Sequence, residues 1–311
     1  MRLDVAGRSD IGKVRSPNED RYAIRTNLPD GGALCVVADG MGGYASGEVA
    51  ATMAVEQVLL AAEDGVALSA AVAVANTNIY QRSLTEATHR GMGTTVTCVH
   101  IHDGQAQFVH VGDSRMYLVR DGQVRQLTTD HSWVAEEVLA GRLTAEEAHR
   151  STSRNLITRA LGLEPEVVTN TGACPLVAGD ALLLCSDGVH TLVSADELAQ
   201  ACAHSAAAGS DALIESVLAR GAPDNATVVI AKMVGDGTTA PRAAVTRPLP
   251  DIAQQTASGR PTAPTAITSA RAANEAESQR RRRPALRMIV LVIVALVLAA
   301  VIAAVIFRVG L

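Results

Sequence analysis

The sequence predicts an α+β domain built in layers, and three features predict it: strand pairs joined by Asp-Gly turns, helical segments arriving in pairs, and apolar runs that end in Asp-Gly. The first run, LCVVA (34–38), is too short for a helix and apolar on both faces, so it reads as a fully buried strand delivering Asp39 and Gly40. Ala-rich segments at about 47–62 and 67–84 carry apolar residues at three- and four-residue spacing, which predicts a helix pair. Residues 94–102 and 105–111 flank Asp103-Gly104, and 116–119 and 123–127 flank Asp121-Gly122. Both read as hairpins, together an antiparallel meander. A second buried run, LLLC (182–185), leads to Ser186-Asp187-Gly188. Helices at about 195–207 and 210–220 and a last strand at 226–234 close the domain.

Composition narrows the function. The chain has 311 residues, only 2% aromatic, so Ala, Val and Leu must fill the core. Its formal charge of −5 hides an asymmetry, because residues 235–311 carry ten Lys/Arg against four Asp/Glu and leave the front strongly acidic. Such a front argues against nucleic acid as a partner and fits a cation site. Five cysteines, none in a C-x-x-C pair, sit largely in strand-like runs and read as reduced core thiols. The N-terminus lacks the apolar core of a signal peptide. Residues 235–287 turn to Thr, Ala, Pro, Ser and Arg without periodicity, a predicted disordered linker ending in Arg280–Arg283 and Arg287. The uncharged run 288–307 that follows is long enough for a transmembrane helix, with a four-residue tail, 308–311. The arginines before it place the front on the cytoplasmic side of a single-pass cell-membrane protein.

Acids stand at strand ends throughout the front: Glu19 and Asp20 after Arg15, Asp39, Asp113 in VGDSR, Asp187, and Asp224 before the last strand. Any one is an ordinary turn former. Together they imply a cation, since clustered carboxylates hold protons unless one sits among them. An all-oxygen set suits Mg²⁺ or Mn²⁺ rather than zinc, and Gly40 lets a backbone carbonyl approach the ion. Two ions sharing a carboxylate can hold a water as hydroxide for attack on phosphorus, with Arg15 clamping the phosphate.

SDIGKVRSPNED, VVADGMGG, GMGTT, VGDSR, TTDHS, ITRALG, LLLCSDG and PDNATVV, in this order over residues 1 to about 234, resemble the bacterial PPM-type (protein phosphatase 2C family) metal-dependent serine/threonine phosphatases. The resemblance implies a four-layer αββα sandwich of two antiparallel sheets flanked by helix pairs, with metals in a cleft at one end. It implies that Asp39 bridges two tightly bound ions and Gly40 offers its carbonyl to the second. Asp187 and Asp224 would complete the first ion's shell, Glu19 and Asp20 would hold waters, and Asp113 with Asp187 would form a weaker third site. Asn225 would support this set from outside it, and Arg15 would bind substrate phosphate. Residues 133–159 would form a flap beside the site, with AHRSTS (148–153) departing from the usual His-Pro pattern. The membrane-tethered layout resembles phosphatases that reverse bacterial Ser/Thr kinases, which implies kinases and their substrates as partners. Where animal relatives carry a histidine after the Asp-Gly, this chain has Met41, which donates no proton. His131, His149 and His190 read as structural or surface residues, so no general acid is assigned.

Overall fold

The structure, a computed structural model, describes residues 2–43 and 46–235. In chain order, β1 (Arg2–Asp10), β2 (Asp20–Thr26) and β3 (Ala33–Met41) precede the helix pair α1 (Ser46–Glu63) and α2 (Leu68–Thr85). Then come β4 (Gly93–Thr94), β5 (Val96–His102), β6 (Gln105–Val111), β7 (Arg115–Arg120), β8 (Gln123–Gln126), α3 (Trp133–Leu139) and α4 (Ala145–Arg150). Finally β9 (Asn170–Pro175), β10 (Ala181–Cys185), α5 (Asp187–His190), α6 (Ala195–Ala203), α7 (Ala206–Ala219) and β11 (Ala226–Val234) complete the order. The linker beyond Gly235, the span 288–307 and the tail 308–311 lie outside the described residues, and no described helix is long and apolar enough to cross a membrane.

Two antiparallel sheets form, one in the order β1-β11-β10-β7-β8 and the other β2-β3-β5-β6-β9, with β4 on β3. Side-chain alternation then explains the uninterrupted apolar runs. On β3, Leu34, Val36 and Ala38 pack with α1 and α2, while Cys35 and Val37 pack between the sheets. On β10, Leu183 and Cys185 join the layer of α6 and α7, while Leu182 and Leu184 join the inter-sheet layer. Three apolar layers separating four structural layers make the expected αββα sandwich. All five cysteines are buried and free, as the sequence implies.

Both Asp-Gly turns are as expected: Asp103, Gly104, Asp121 and Gly122 all adopt positive φ, which matches the twist of a tight hairpin. The single meander is not. The hairpin β5–β6 belongs to one sheet and β7–β8 to the other. The chain changes sheet at Gly112, whose φ of +111° and whose contact with Thr95, only 2.5 Å from a would-be Cβ, leave room for no side chain. The helix expected over 195–207 stops at Ala203. His204 is extended, and the Ser205 hydroxyl accepts from the Ala208 amide, starting α7 earlier than its expected position at 210.

Candidate active site

The acids gather at the open end of the inter-sheet layer, and the alternation of β3 is what aims them there. Asp39 continues the parity of Cys35 and Val37, so its carboxylate faces between the sheets. Directly across the β2–β3 ladder stands Asp20, a like-charged cross-strand pair that is unfavourable by itself. From the other sheet, β10 delivers Ser186 and Asp187. The Ser186 hydroxyl donates to Asp20 Oδ2 at 2.7 Å, tying one sheet to the other across the site. Asp224 lies before β11, next to β10, and Asp113 follows β6, where the chain crosses between sheets.

Burial and mutual repulsion raise Asp39, Asp20, Asp187 and Asp113. Desolvation is the larger cause at Asp39, followed by Asp20, Asp187, Asp113 and Asp224. Asp20 and Asp187 are raised by burial first and by neighbouring acids next. Burial, then Asp187 and Asp130, pushes the Asp113 carboxyl up to about 7. Asp20 Oδ1 and Asp113 Oδ1 are buried without a hydrogen-bond partner. Such oxygens are costly unless a cation takes them. Among the described residues no three acid, imidazole or thiolate groups close into a ready-made cage. An all-oxygen set of this kind fits a hard divalent ion that keeps several of its own waters, as Mg²⁺ and Mn²⁺ do.

The surrounding backbone is built for close approach. A Cβ on Gly40 would lie 2.1 Å from the Gly47 carbonyl, and one on Gly47 would lie 2.6 Å from the Gly40 carbonyl carbon, so the start of α1 packs on the Asp39–Gly40 strand without side chains between. Glu19 Oε1 accepts from the Gly47 amide at 3.1 Å, holding that helix end, while burial raises its carboxyl. Arg15 Nη2 donates to Asp224 Oδ2 at 2.8 Å, and half the Arg15 side chain remains exposed. Asn225 straps the loop that carries these groups: its amide nitrogen donates to Ile11 and Pro17 carbonyls, and its oxygen accepts from the Glu19 amide.

A family profile described as protein phosphatase 2C matches residues 6–220. The chain belongs to the protein phosphatase 2C family. The serine/threonine protein phosphatase PstP of Mycobacterium tuberculosis is 40% identical over 243 residues, which are 75% of this chain and 45% of the relative. The chain thus spans less than half the length of that relative. The protein phosphatase PhpP of Streptococcus pneumoniae is 36% identical over 205 residues, 63% of this chain and 82% of the relative. Among solved structures, the M. tuberculosis PstP/Ppp phosphatase shares 39% identity at a TM-score of 0.67, covering 75% of this chain and 99% of that one. The PstP catalytic domain solved with two manganese ions matches at the same identity and TM-score.

Within this protein phosphatase 2C fold, several motif residues find work that their spacing did not reveal. Thr95 Oγ1 accepts from the Asp39 amide, while the Thr95 amide and Thr94 Oγ1 both donate to the Asp39 carbonyl. Ser114 Oγ lies 2.7 Å from Thr95 Oγ1, so the two segments beside Asp39 and Asp113 are fastened together. Thr94, Thr95, Ser114, Ser186 and Gly47 are therefore positioning residues that sequence reasoning missed; the only signal was that most of them sit inside the matching motifs. His131 is buried, accepts from the Gly112 amide and is held neutral, its pKa lowered by burial to about 3. His190 is buried, donates to the Asp113 carbonyl and is lowered by burial to about 4. His149 lines the cleft under the flap. The flap itself is two short helices, α3 capped by Ser132 and α4 opened by a Thr144–Glu147 capping box.

Proposed function

We propose that the chain is a metal-dependent protein serine/threonine phosphatase that hydrolyses phosphoserine and phosphothreonine on proteins. One observation carries the reading: five aspartates from two sheets converge, with Asp20 and Asp113 buried and each leaving one oxygen unpartnered, in a chain of the protein phosphatase 2C family. Asp39, the Gly40 carbonyl, Asp187 and Asp224 would hold two Mn²⁺ or Mg²⁺ ions, Asp113 with Asp187 a third and weaker one, and Glu19 and Asp20 the outer waters. Bound there, the ions would supply Lewis-acid stabilisation and an activated water. The protein's own groups do the rest. Asp20, held by Ser186, and Asp39, held by Thr94 and Thr95, keep fixed positions, so little reorganisation accompanies reaction. Arg15, whose guanidinium is held by Asp224 and is half exposed, would turn to the substrate phosphate once Asp224 is neutralised. No protein acid is assigned to the leaving oxygen, because Met41 cannot donate and His131 and His190 are buried, neutral and engaged.

The uncharged run 288–307 and Arg280–Arg283 support a single-pass membrane anchor with the catalytic domain in the cytoplasm, acting against Ser/Thr kinases. The full chain should hydrolyse p-nitrophenyl phosphate and a phosphothreonine peptide with Mn²⁺, lose both with chelator, and lose both in Asp39→Asn. Metal-independent hydrolysis would overturn the reading. Recovery of the full chain in the soluble fraction after carbonate washing would overturn the anchor.

A further inference from the structure

The flap and the acid cluster enclose a cleft of about 470 Å³, with Asp113 and Asp187 on its inner side. One wall is apolar: Val134, Val138 and Leu139 come from α3, and Ala145 and Ala148 from α4. The facing wall offers little free charge, because Arg115 is clasped by both oxygens of Asp130 at 2.7–3.0 Å. The apolar wall is not simply an unfilled gap under a loose loop. The flap neck is closed by the Ser132–Ile157 bridge and by the Trp133 amide bonded to the Leu156 carbonyl, and within the flap Arg142 pairs with Glu137. The helices therefore stand off the domain on bonds of their own, with Leu139 73% exposed.

We infer that this cleft is a specificity pocket for a large aliphatic side chain flanking the phosphoresidue of the substrate. The inference rests on the phosphatase reading, since it takes the phosphate to reach the acid cluster. The cleft is continuous with that cluster through Asp113 and Asp187, so a chain whose phosphate lies among the acids places its next few residues, at ~3.4 Å each, along the flap. An aliphatic group would cover the half-buried Val138 and the exposed Leu139 and release their water. A charged one would find no free partner on the inner wall, since on the phosphatase reading Asp113 and Asp187 hold the ions and Asp130 is occupied by Arg115, which leaves only the exposed His149 and Arg154 at the rim.

The test is a phosphothreonine peptide panel on the Mn²⁺-loaded full chain, with Leu, Ala, Glu or Lys at each of the three positions on either side. One position should favour Leu over Ala by about ten-fold in kcat/KM. In Ala148→Phe, which fills the cleft, that ratio should fall to about one. A purely structural defect would lower both peptides together and leave the ratio intact. A flat panel, a Glu or Lys preference, or an unchanged ratio in Ala148→Phe would each overturn the inference. Turnover of p-nitrophenyl phosphate alongside a flat panel would sink the pocket alone, whereas loss of all turnover would sink the phosphatase reading itself.

Discussion

At the scale of single residues, Asp187 is where function and stability pull apart. It helps raise Asp20, Asp39 and Asp113, so removing its charge relieves three neighbours at once. Asp187→Asn should cut kcat/KM at least about a hundred-fold, and yet raise the melting temperature of the metal-free protein by a few degrees, roughly 2–4 °C per kcal/mol for a domain this size. Scanning fluorimetry in chelator reads the second effect. A lower melting temperature would mean that the aspartates do not repel one another in the fold. The acids themselves were legible in the sequence because each follows or precedes an apolar strand. What was not legible is their support. Thr95 and Ser186 are chemically ordinary, and only the pairing of distant segments shows that one grips the Asp39 backbone and the other the Asp20 carboxylate.

At the scale of elements, the start of α1 is set by two glycines. Gly47→Ala gains helix propensity worth about 1 kcal/mol. Its new Cβ, however, falls 2.6 Å from the Gly40 backbone and 2.7 Å from Glu19 Oε1, and overpacking of that kind costs about 1–3 kcal/mol. The clash should win. The helix end would move off the site, with Mn²⁺ affinity falling on the order of ten- to hundred-fold as Gly40 and Glu19 shift. Calorimetric titration checks this, and unchanged affinity would show that α1 does not set the site. Elements differed in how plainly the sequence announced them. β3 and β10 are buried on both faces and so read as unbroken apolar runs. β1, β2 and β9 went unread because they are sheet edges: RLDVAGRSD and DRYAIRT mix charge with small residues, and NTGACP carries a glycine and a proline. The sheet change at Gly112 was equally hidden, since hairpin signals specify partners within a pair and say nothing of which sheet each pair joins.

At the scale of the whole molecule, buried histidines and buried acids respond to pH in opposite directions. Burial lowers His110 and His190 to about 4. Their neutral forms therefore support the fold fully above the unfolded value of about 6.5, and that support is lost as pH falls from there toward 4. For His110 alone the loss is on the order of 3 kcal/mol. The raised aspartates act the other way in metal-free protein, where acidification through about 7 relieves their repulsion. The Mn²⁺-loaded protein should thus lose more stability between pH 7 and pH 5 than the metal-free one, as urea denaturation at both pH values would show; equal losses would refute the opposition. The bond from Ser186 to Asp20 has a wider consequence. Because the acids ride on two sheets held face to face by Val37, Leu184, Val229 and their neighbours, the site acts as a gauge of inter-sheet spacing. A small slip of one sheet over the other would reach the clustered acids before any loop moved, so on the proposed reading changes deep in that layer would tune turnover without touching a single reacting group.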